Sequence, residues 1–452
     1  MSTESSPADP PSRLVGGTEY SWCRAVLCGT GVTALSLLFS KPPNVPHLQS
    51  CIHAIQNAHP ILRSKLKFNT ANSTFSFFTP STSSNLQITS SDSNFTFYQT
   101  LEHEINTNPW KGNESESETG TDVMFANVYN LQEGKYVVVL RLHTAVCDRA
   151  SAAYLLRELL KLIGNDNIDN VDLMKEEGLG LALEDCVPAG KASKPFWSRG
   201  ADMLGYSVNS FRFSNLDFKE SGFPKSTEFV RLKIGLEDTE KILSGCKSRG
   251  IKLFGLSSAA GFISAHASKK IPDEKWEKYS LATLVDCRSL LDPVLGDHHV
   301  GNYHSAILSS HDVKGGEDVW DLAQKIYSSL ETAKNNNKHF TDMADLHFLM
   351  GKAIDNPGLT PSSSLRTSLF SVFEESLIEN TNQLHKDIGL LDCIGCASVH
   401  GVSPSLAIFD TINDGQLDCA CMYPSPTHSR EQMQDFVDHM KKILIEAASV
   451  PQ

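Results

Sequence analysis

Apolar positions along this chain recur with two different periods. Leu48, Cys51, Ile52 and Ile55 follow Pro42-Pro43 at helical spacing, which predicts a helix stopping at His59-Pro60. Residues 73–98 alternate instead, which predicts antiparallel strands around a turn at Pro80. Residues 24–39 read as a strand pair broken at Gly29-Thr-Gly31, and Ile61 to Leu66 as another strand. Val123 to Leu131 and Lys135 to Leu142 form a further predicted pair. Beyond them Ala152, Leu155, Leu156, Leu159, Leu160 and Ile163 make the apolar stripe of a helix that Gly164 ends.

The second half repeats the mixture. Glu228 to Ile234 alternates as a strand, and Glu237 to Ser248 has a helical period. Leu256 to His266 is small and apolar, as suits a closely packed core helix. Tyr279 to Arg288 reads as a strand and Glu317 to Asn335 as a helix. Strands are expected at Asp387 to Ser398, Leu406 to Thr411 and Gln416 to Tyr423, the last two joined by the hairpin turn Asn413-Asp-Gly415. Ser429 and Gln432 have capping-box spacing, and Met433, Phe436, Val437, Met440, Ile443 and Leu444 form the apolar face of a final helix. The division expected is a disordered tail at 1–14, a first domain at 15–190, a linker at 191–225 and a second domain at 226–452. Residues 111–122 are polar and acidic, as in a solvated loop. The fold class is α/β, with two similar halves of largely antiparallel sheet backed by helices.

Bulk properties narrow the function. The formal charge is −13, with no dense basic cluster, which argues against nucleic acid as a partner. No apolar run approaches the roughly 20 residues of a spanning helix, so no membrane partner is expected. Eleven cysteines, an odd count without a secretory signal, suggest reduced thiols in the cytoplasm.

The chemistry centres on His143-Thr-Ala-Val-Cys-Asp-Arg149, between the apolar run Tyr136-Val-Val-Val-Leu140 and the helix of the Leu stripe. It resembles the HHxxxDG signature of CoA-dependent acyltransferases and condensation domains. Aligned on Asp148, the first His falls on His143. The second, the catalytic base of that family, falls on Thr144, and the Gly falls on Arg149. Val285-Asp-Cys-Arg-Ser-Leu-Leu-Asp-Pro293 with Gly301-Asn302 resembles the family's VDxRxRLxPP strand and GN pair. His59-Pro-Ile-Leu-Arg63 resembles its HPxLR stretch. Ser398-Val-His-Gly401 through Asp410 resembles its closing strand pair. The likeness runs from about residue 15 to the C-terminus, and points to a plant branch near condensation domains. The DFGWG motif of the central BAHD enzymes is missing.

The resemblance implies two chloramphenicol-acetyltransferase-like domains with a tunnel between them. It also implies acyl transfer from acyl-CoA to a small hydroxyl or amine acceptor in specialised metabolism, by a monomer with no bound cofactor and no metal. Asp148 would pair with Arg288 across the domains. Arg149, Asp286, Gly301, Asn302, Ser398 and His400 would line the tunnel or meet substrate. The catalytic candidates are His143, Thr144 and Asp148, because an imidazole accepts a proton near neutral pH while a threonine hydroxyl does not. Strand alternation leaves two arrangements open. With the strand running through 144, Thr144 faces the tunnel and His143 points away. With an earlier end or a bulge, His143 reaches it. Thr144 also favours an alternative, a member of the fold repurposed as a lyase, cyclase or isomerase, or as a small-molecule-binding protein without turnover.

Other motifs carry less. Cys393-Ile-Gly-Cys396 has CxxC spacing, with Cys419, Cys421 and His400 near in sequence, but free cysteines more often serve as small core hydrophobes. His298-His299 precede the GN pair and read as a solvated loop. No GxSxG elbow is present, and Gly29-Thr-Gly31 lacks the third glycine of a dinucleotide loop.

Overall fold

A computed structural model describes residues 12–80, 88–112, 120–194, 213–220 and 225–449. The expected tail up to residue 11, most of the acidic loop at 111–122 and most of the linker at 191–225 lie outside the described residues. The pieces of these segments inside them are bound to their neighbours. Ser12–Leu14 is a strand paired with Thr74–Phe78 and belongs to no tail. Ser214 and Lys219 donate backbone hydrogen bonds to the carbonyls of Lys278 and Thr427 in the second half.

Among the described residues three sheets carry the α/β architecture. The first has the order Leu390–Val399, Thr30–Phe39, Tyr136–His143, Met124–Asn130 and Ile88–Asp92. The second runs His304–Val313, Glu277–Asp286, Phe370–Phe373, Leu406–Asn413, Gln416–Ser425 and Ser226–Ile234, with Leu377–Glu379 added beside Leu406–Asn413. The third is small: Ser12–Leu14, Thr74–Phe78, Lys65–Asn69 and Thr121–Asp122. Most neighbours are antiparallel; Ile88–Asp92 beside Met124–Asn130 is parallel, as are the pairs made by Phe370–Phe373. The strand Leu390–Val399 comes from the second half of the chain yet completes the first half's sheet against Thr30–Phe39. A change of sheet at residues 400–405 therefore ties the halves together.

Each half has its own core. The helix Leu253–Ser268 is apolar on all sides because it is wedged against the large sheet and the helices Val319–Asn335 and Arg430–Ser449. In the first half Leu155, Leu159 and Leu162 of the helix Arg149–Ile163 pack with Leu48, Ile52 and Ile55 of the helix Val45–Ala58.

Several expected elements differ. Residues 24–27 end a helix, Gly17–Leu27, whose start is fixed by Glu19 accepting the Gly16 N–H at 2.7 Å. A short apolar run such as Arg24-Ala-Val-Leu27 does not reveal its period, and the turn comes only at Gly29 with φ +101°. Pro60–Arg63 is a 3-10 turn, with the strand starting at Lys65. The alternating region 73–98 divides: Thr74–Phe78 pairs antiparallel with Lys65–Asn69, Ile88–Asp92 joins another sheet, and Phe97–Asn106 is a helix capped by a Thr96–Gln99 box. The strand His304–Val313 and the helix Met343–Asp355, which periodicity did not reveal, both border the site.

Candidate active site

The strand Tyr136–His143 ends in a 3-10 turn, Thr144–Val146, and Asp148 caps the next helix by accepting the Ser151 N–H at 2.8 Å. Alternation decides where the two key side chains go. His143 pairs with Val32 and points with it toward Trp110, Val26 and Phe125. Its ring is fully buried and meets the Trp110 indole in a T-shape at 4.9 Å. Nδ1 accepts the Ala145 N–H at 3.1 Å, and Nε2 is buried without a hydrogen-bond partner. Burial in this apolar setting pushes the imidazole down to about 3. It is therefore neutral and held away from the cavity described next.

Thr144 faces that cavity, which has a volume of about 530 Å³ and is lined from both halves of the chain. The Thr144 hydroxyl donates to the Gly31 carbonyl at 2.6 Å and lies 2.7 Å from Thr33 Oγ1. Since its one proton goes to Gly31, Thr33 is the donor in the second bond. The hydroxyl is thus committed twice over, as part of the wall. Ser398 also lines the cavity, accepting the Val32 N–H at 2.9 Å.

The second half docks on the turn through residues 286–304. Arg288 forks Asp148, with Nη1 to Oδ2 at 2.9 Å and Nη2 to Oδ1 at 3.0 Å, and both side chains are only 3% exposed. Asp286 braces the same guanidinium at 3.0 Å and stays outside the cavity lining. Gly301 serves through its backbone, its carbonyl accepting from the Asp148 N–H at 3.0 Å and from Ser151 Oγ at 2.9 Å. Asn302 lines the cavity, donates Nδ2 to the Thr144 carbonyl at 2.9 Å, and leaves Oδ1 buried without a partner. Burial alone would raise the Asp148 carboxyl, but Arg288 and then His304 hold it well below the usual carboxylate range.

Arg149, where the resembled signature has glycine, also lines the cavity. It stacks on Phe373 at 4.2 Å, pairs with Asp410 at 3.2 Å and donates to the Glu375 and Asp410 carbonyls. His400 does not line the cavity; its Nδ1 lies 3.0 Å from Thr227 Oγ1, and burial, then Arg366, pushes it down to about 4. His298 and His299 pack against each other with tilted rings, away from the cavity.

Among the cavity residues that the sequence analysis did not single out, Arg366 and His304 bear most on the site. Arg366, 1% exposed, donates to the carbonyls of Ser364, Val399, His400, Gly401 and Pro404, so it fixes the turn between two sheets. Having only carbonyl partners there, its guanidinium is pushed down by burial to about 9. His304 brings Nδ1 to 2.9 Å from Asp148 Oδ2 and sets its ring edge-on to Phe373. Its one sequence signal is its place two residues after the GN pair.

The CxxC pair cannot chelate from where it stands: Cys393 and Cys396 sit three apart on one strand, hence on opposite faces. Cys419 and Cys421 are core residues, and none of the eleven cysteines is in a disulfide. Among the described residues no cluster of three or more His, Cys, Asp or Glu is arranged to hold a metal ion. Nor, among them, is any helix long and apolar enough to cross a membrane.

No family model matches this sequence, and no curated protein matches it. Solved structures do match. The trichothecene 15-O-acetyltransferase from Fusarium sporotrichioides superposes with a TM-score of 0.75 over 99% of this chain and 97% of its own, at 11% identity. The condensation domain of the Monacolin K polyketide synthase gives 0.63 over 99% of both chains, at 12% identity. The epimerization domain from the third module of tyrocidine synthetase B gives 0.64 over 99% and 98%, at 13% identity. The chain therefore has the two-domain condensation-domain, or chloramphenicol-acetyltransferase-like, acyltransferase fold. Because one neighbour is an epimerization domain, the fold by itself does not fix the reaction.

Proposed function

We propose that the protein transfers an acyl group from acyl-CoA to a small hydroxyl or amine acceptor, as in plant specialised metabolism. The observation that carries this reading is the cavity itself. It is lined from both halves, and the Asp148–Arg288 clamp holds the signature turn at its wall. A pocket of this size suits a small acceptor and an acyl chain. In this reading Thr144 shapes the wall, Asp148 orients its neighbours, and Asn302 Oδ1 and Ser398 contact substrate. Arg149 sets the far wall beside Phe373, and His143 supports the turn from behind. The protein works as a monomer in the reducing cytoplasm, without metal, bound cofactor, nucleic acid or membrane.

The test is direct. Purified protein is incubated with acetyl-, malonyl-, benzoyl- and hydroxycinnamoyl-CoA and a mixed pool of alcohols and amines, following free thiol and product mass. Acylated acceptor is expected, with its formation abolished by Ala306→Trp, which fills the cavity from the strand His304–Val313. Thiol release without acylated acceptor, or turnover indifferent to the filled cavity, would refute the reading.

A second reading has one specific observation behind it. The hydroxyl of Thr144, where the resembled family keeps its base, is locked to Gly31 and Thr33. This favours a repurposed lyase, cyclase or isomerase, or a binding protein without turnover. Acyl transfer gained only in Thr144→His would identify that case.

A further inference from the structure

We propose that His304 is the proton acceptor of this cavity, positioned by Asp148, in the role that the resembled signature gives to the residue at 144. The inference rests on the acyl-transfer reading and adds to it a residue and a direction of attack.

The argument begins with what else lines the cavity. A base for a hydroxyl or amine nucleophile must accept a proton near neutral pH and reach the cavity. His143 fails on the second count and Thr144 on the first. Among the described lining residues the carboxylates are occupied: Asp148 by Arg288, Asp418 by Arg231 at 2.6 Å, and Glu379 by Arg157 at 3.3 Å. Two imidazoles line the cavity, His304 and His347. His347 lies on the helix Met343–Asp355, with Glu184 as its charged neighbour, away from the signature turn. His304 adjoins the turn, because Asn302 and Tyr303 bond to Thr144 and Asp148 on either side of it.

The Asp148–His304 contact has the polarity a base needs. Asp148 is ionised, so the nitrogen facing it, Nδ1, carries the ring proton, and Nε2 is the bare acceptor. Asp148 Oδ2 already accepts from Arg288 Nη1 at 2.9 Å and from the Tyr303 N–H at 2.8 Å. His304 Nδ1 lies 2.9 Å from the same oxygen but is misaligned for a hydrogen bond. Such contacts commonly straighten once substrate binds. Nε2 makes no hydrogen bond to any of the described residues. Among the described residues, the charged groups placed around the ring are Asp148, Arg288 behind it, and Asp286, its partner across the strand pair; the strand Phe370–Phe373 brings the Phe373 ring against it.

The step balances without another reactant. The acceptor oxygen or nitrogen bonds to the thioester carbonyl carbon while its proton passes to Nε2. The tetrahedral intermediate collapses, the C–S bond breaks, and Nε2 returns the proton to the departing thiolate, giving acylated acceptor and free thiol. Because His304 belongs to the second half's sheet, the acceptor is deprotonated from the second-half side of the signature turn.

His304→Gln and His304→Ala in the full-length chain test this, using whichever CoA donor proves active in the assay above. A loss of about 10²- to 10⁴-fold in kcat is expected, with the KM for the CoA donor changed by less than about threefold. The acidic limb of the wild-type kcat/KM profile should vanish in His304→Gln, and added imidazole should partly restore His304→Ala. Full kcat with an unchanged pH profile in folded His304→Gln would overturn the inference and leave the acyl-transfer reading standing. Nitrogen NMR of histidine-labelled protein, with the His304 signals assigned by their loss in His304→Gln, separates the two failures. If the wild type transfers nothing, the acyl-transfer reading fails. The proton-acceptor assignment then stands only if the spectrum shows the Nδ1–H tautomer with bare Nε2, and falls if it shows the reverse.

Discussion

Replacing Arg288 with Met keeps much of the side-chain volume and removes the cation that Asp148 was buried against. The variant loses both bonds to Asp148, the 2.8 Å bond to Ser151 Oγ and those to the His299 carbonyl. Asp148 keeps the Ser151 and Tyr303 N–H groups and the nearby His304, so its charge is only partly stranded. Removing one partner of a buried pair costs roughly 3–5 kcal/mol, and these remaining donors place the expected loss near the lower end, about 3 kcal/mol. Urea unfolding at pH 7.5, followed by far-UV circular dichroism and tryptophan fluorescence, reads this as a midpoint about 1 M lower for a slope of about 3 kcal/mol/M. The double variant Asp148→Leu with Arg288→Met should cost less than Arg288→Met alone, because no buried charge is left behind. The pair also has a pH signature. Asp148 titrates lower in the folded chain than unfolded, so its stabilisation is complete above the unfolded carboxylate range, about 4, and is lost as pH falls through the folded value. Arg288→Met should lose that part of the acid dependence. A cost below about 1 kcal/mol, or a double variant that simply sums the singles, would refute the claim that this contact is desolvated and coupled.

Other outcomes follow from the same geometry. His143, His311, His339, His400 and His428 are all pushed down by burial, so the unfolded chain binds their protons first as pH falls below about 6.5, and stability falls with it. His143→Phe should flatten that dependence by about 1.4 kcal/mol per pH unit between pH 6 and 4, read from urea midpoints across pH. Thr144→Ala should lower stability by about 1 kcal/mol through the lost Gly31 bond, measurable in the same assay. Gly29→Ala should cost more than about 1 kcal/mol in thermal unfolding, because Gly29 has φ +101° and its added Cβ would lie 2.1 Å from His400 Nε2.

Much of the fold is legible in the chain because long amphipathic elements state their period locally. The stripe from Ala152 to Ile163, the hairpin at Asn413-Asp-Gly415 and the final helix from Arg430 all lie where their patterns put them. Short elements do not state it, which is why residues 24–27 read as strand and fold as helix, and why 73–98 divides between two sheets and a helix. The resemblance around Asp148, Arg288 and Gly301-Asn302 likewise marks residues that meet in space, since a buried charge requires a partner that the chain must supply somewhere. The tertiary structure alone decided which way the side chains at 143 and 144 face. That depends on pairing with Val32 and on the room beside Trp110, both set by residues distant in sequence. It also brought His304 against Asp148, 156 positions away, through strand register and docking of the two halves. A lone histidine carries no local mark of such a contact, because its chemistry comes from the carboxylate that the fold sets beside it.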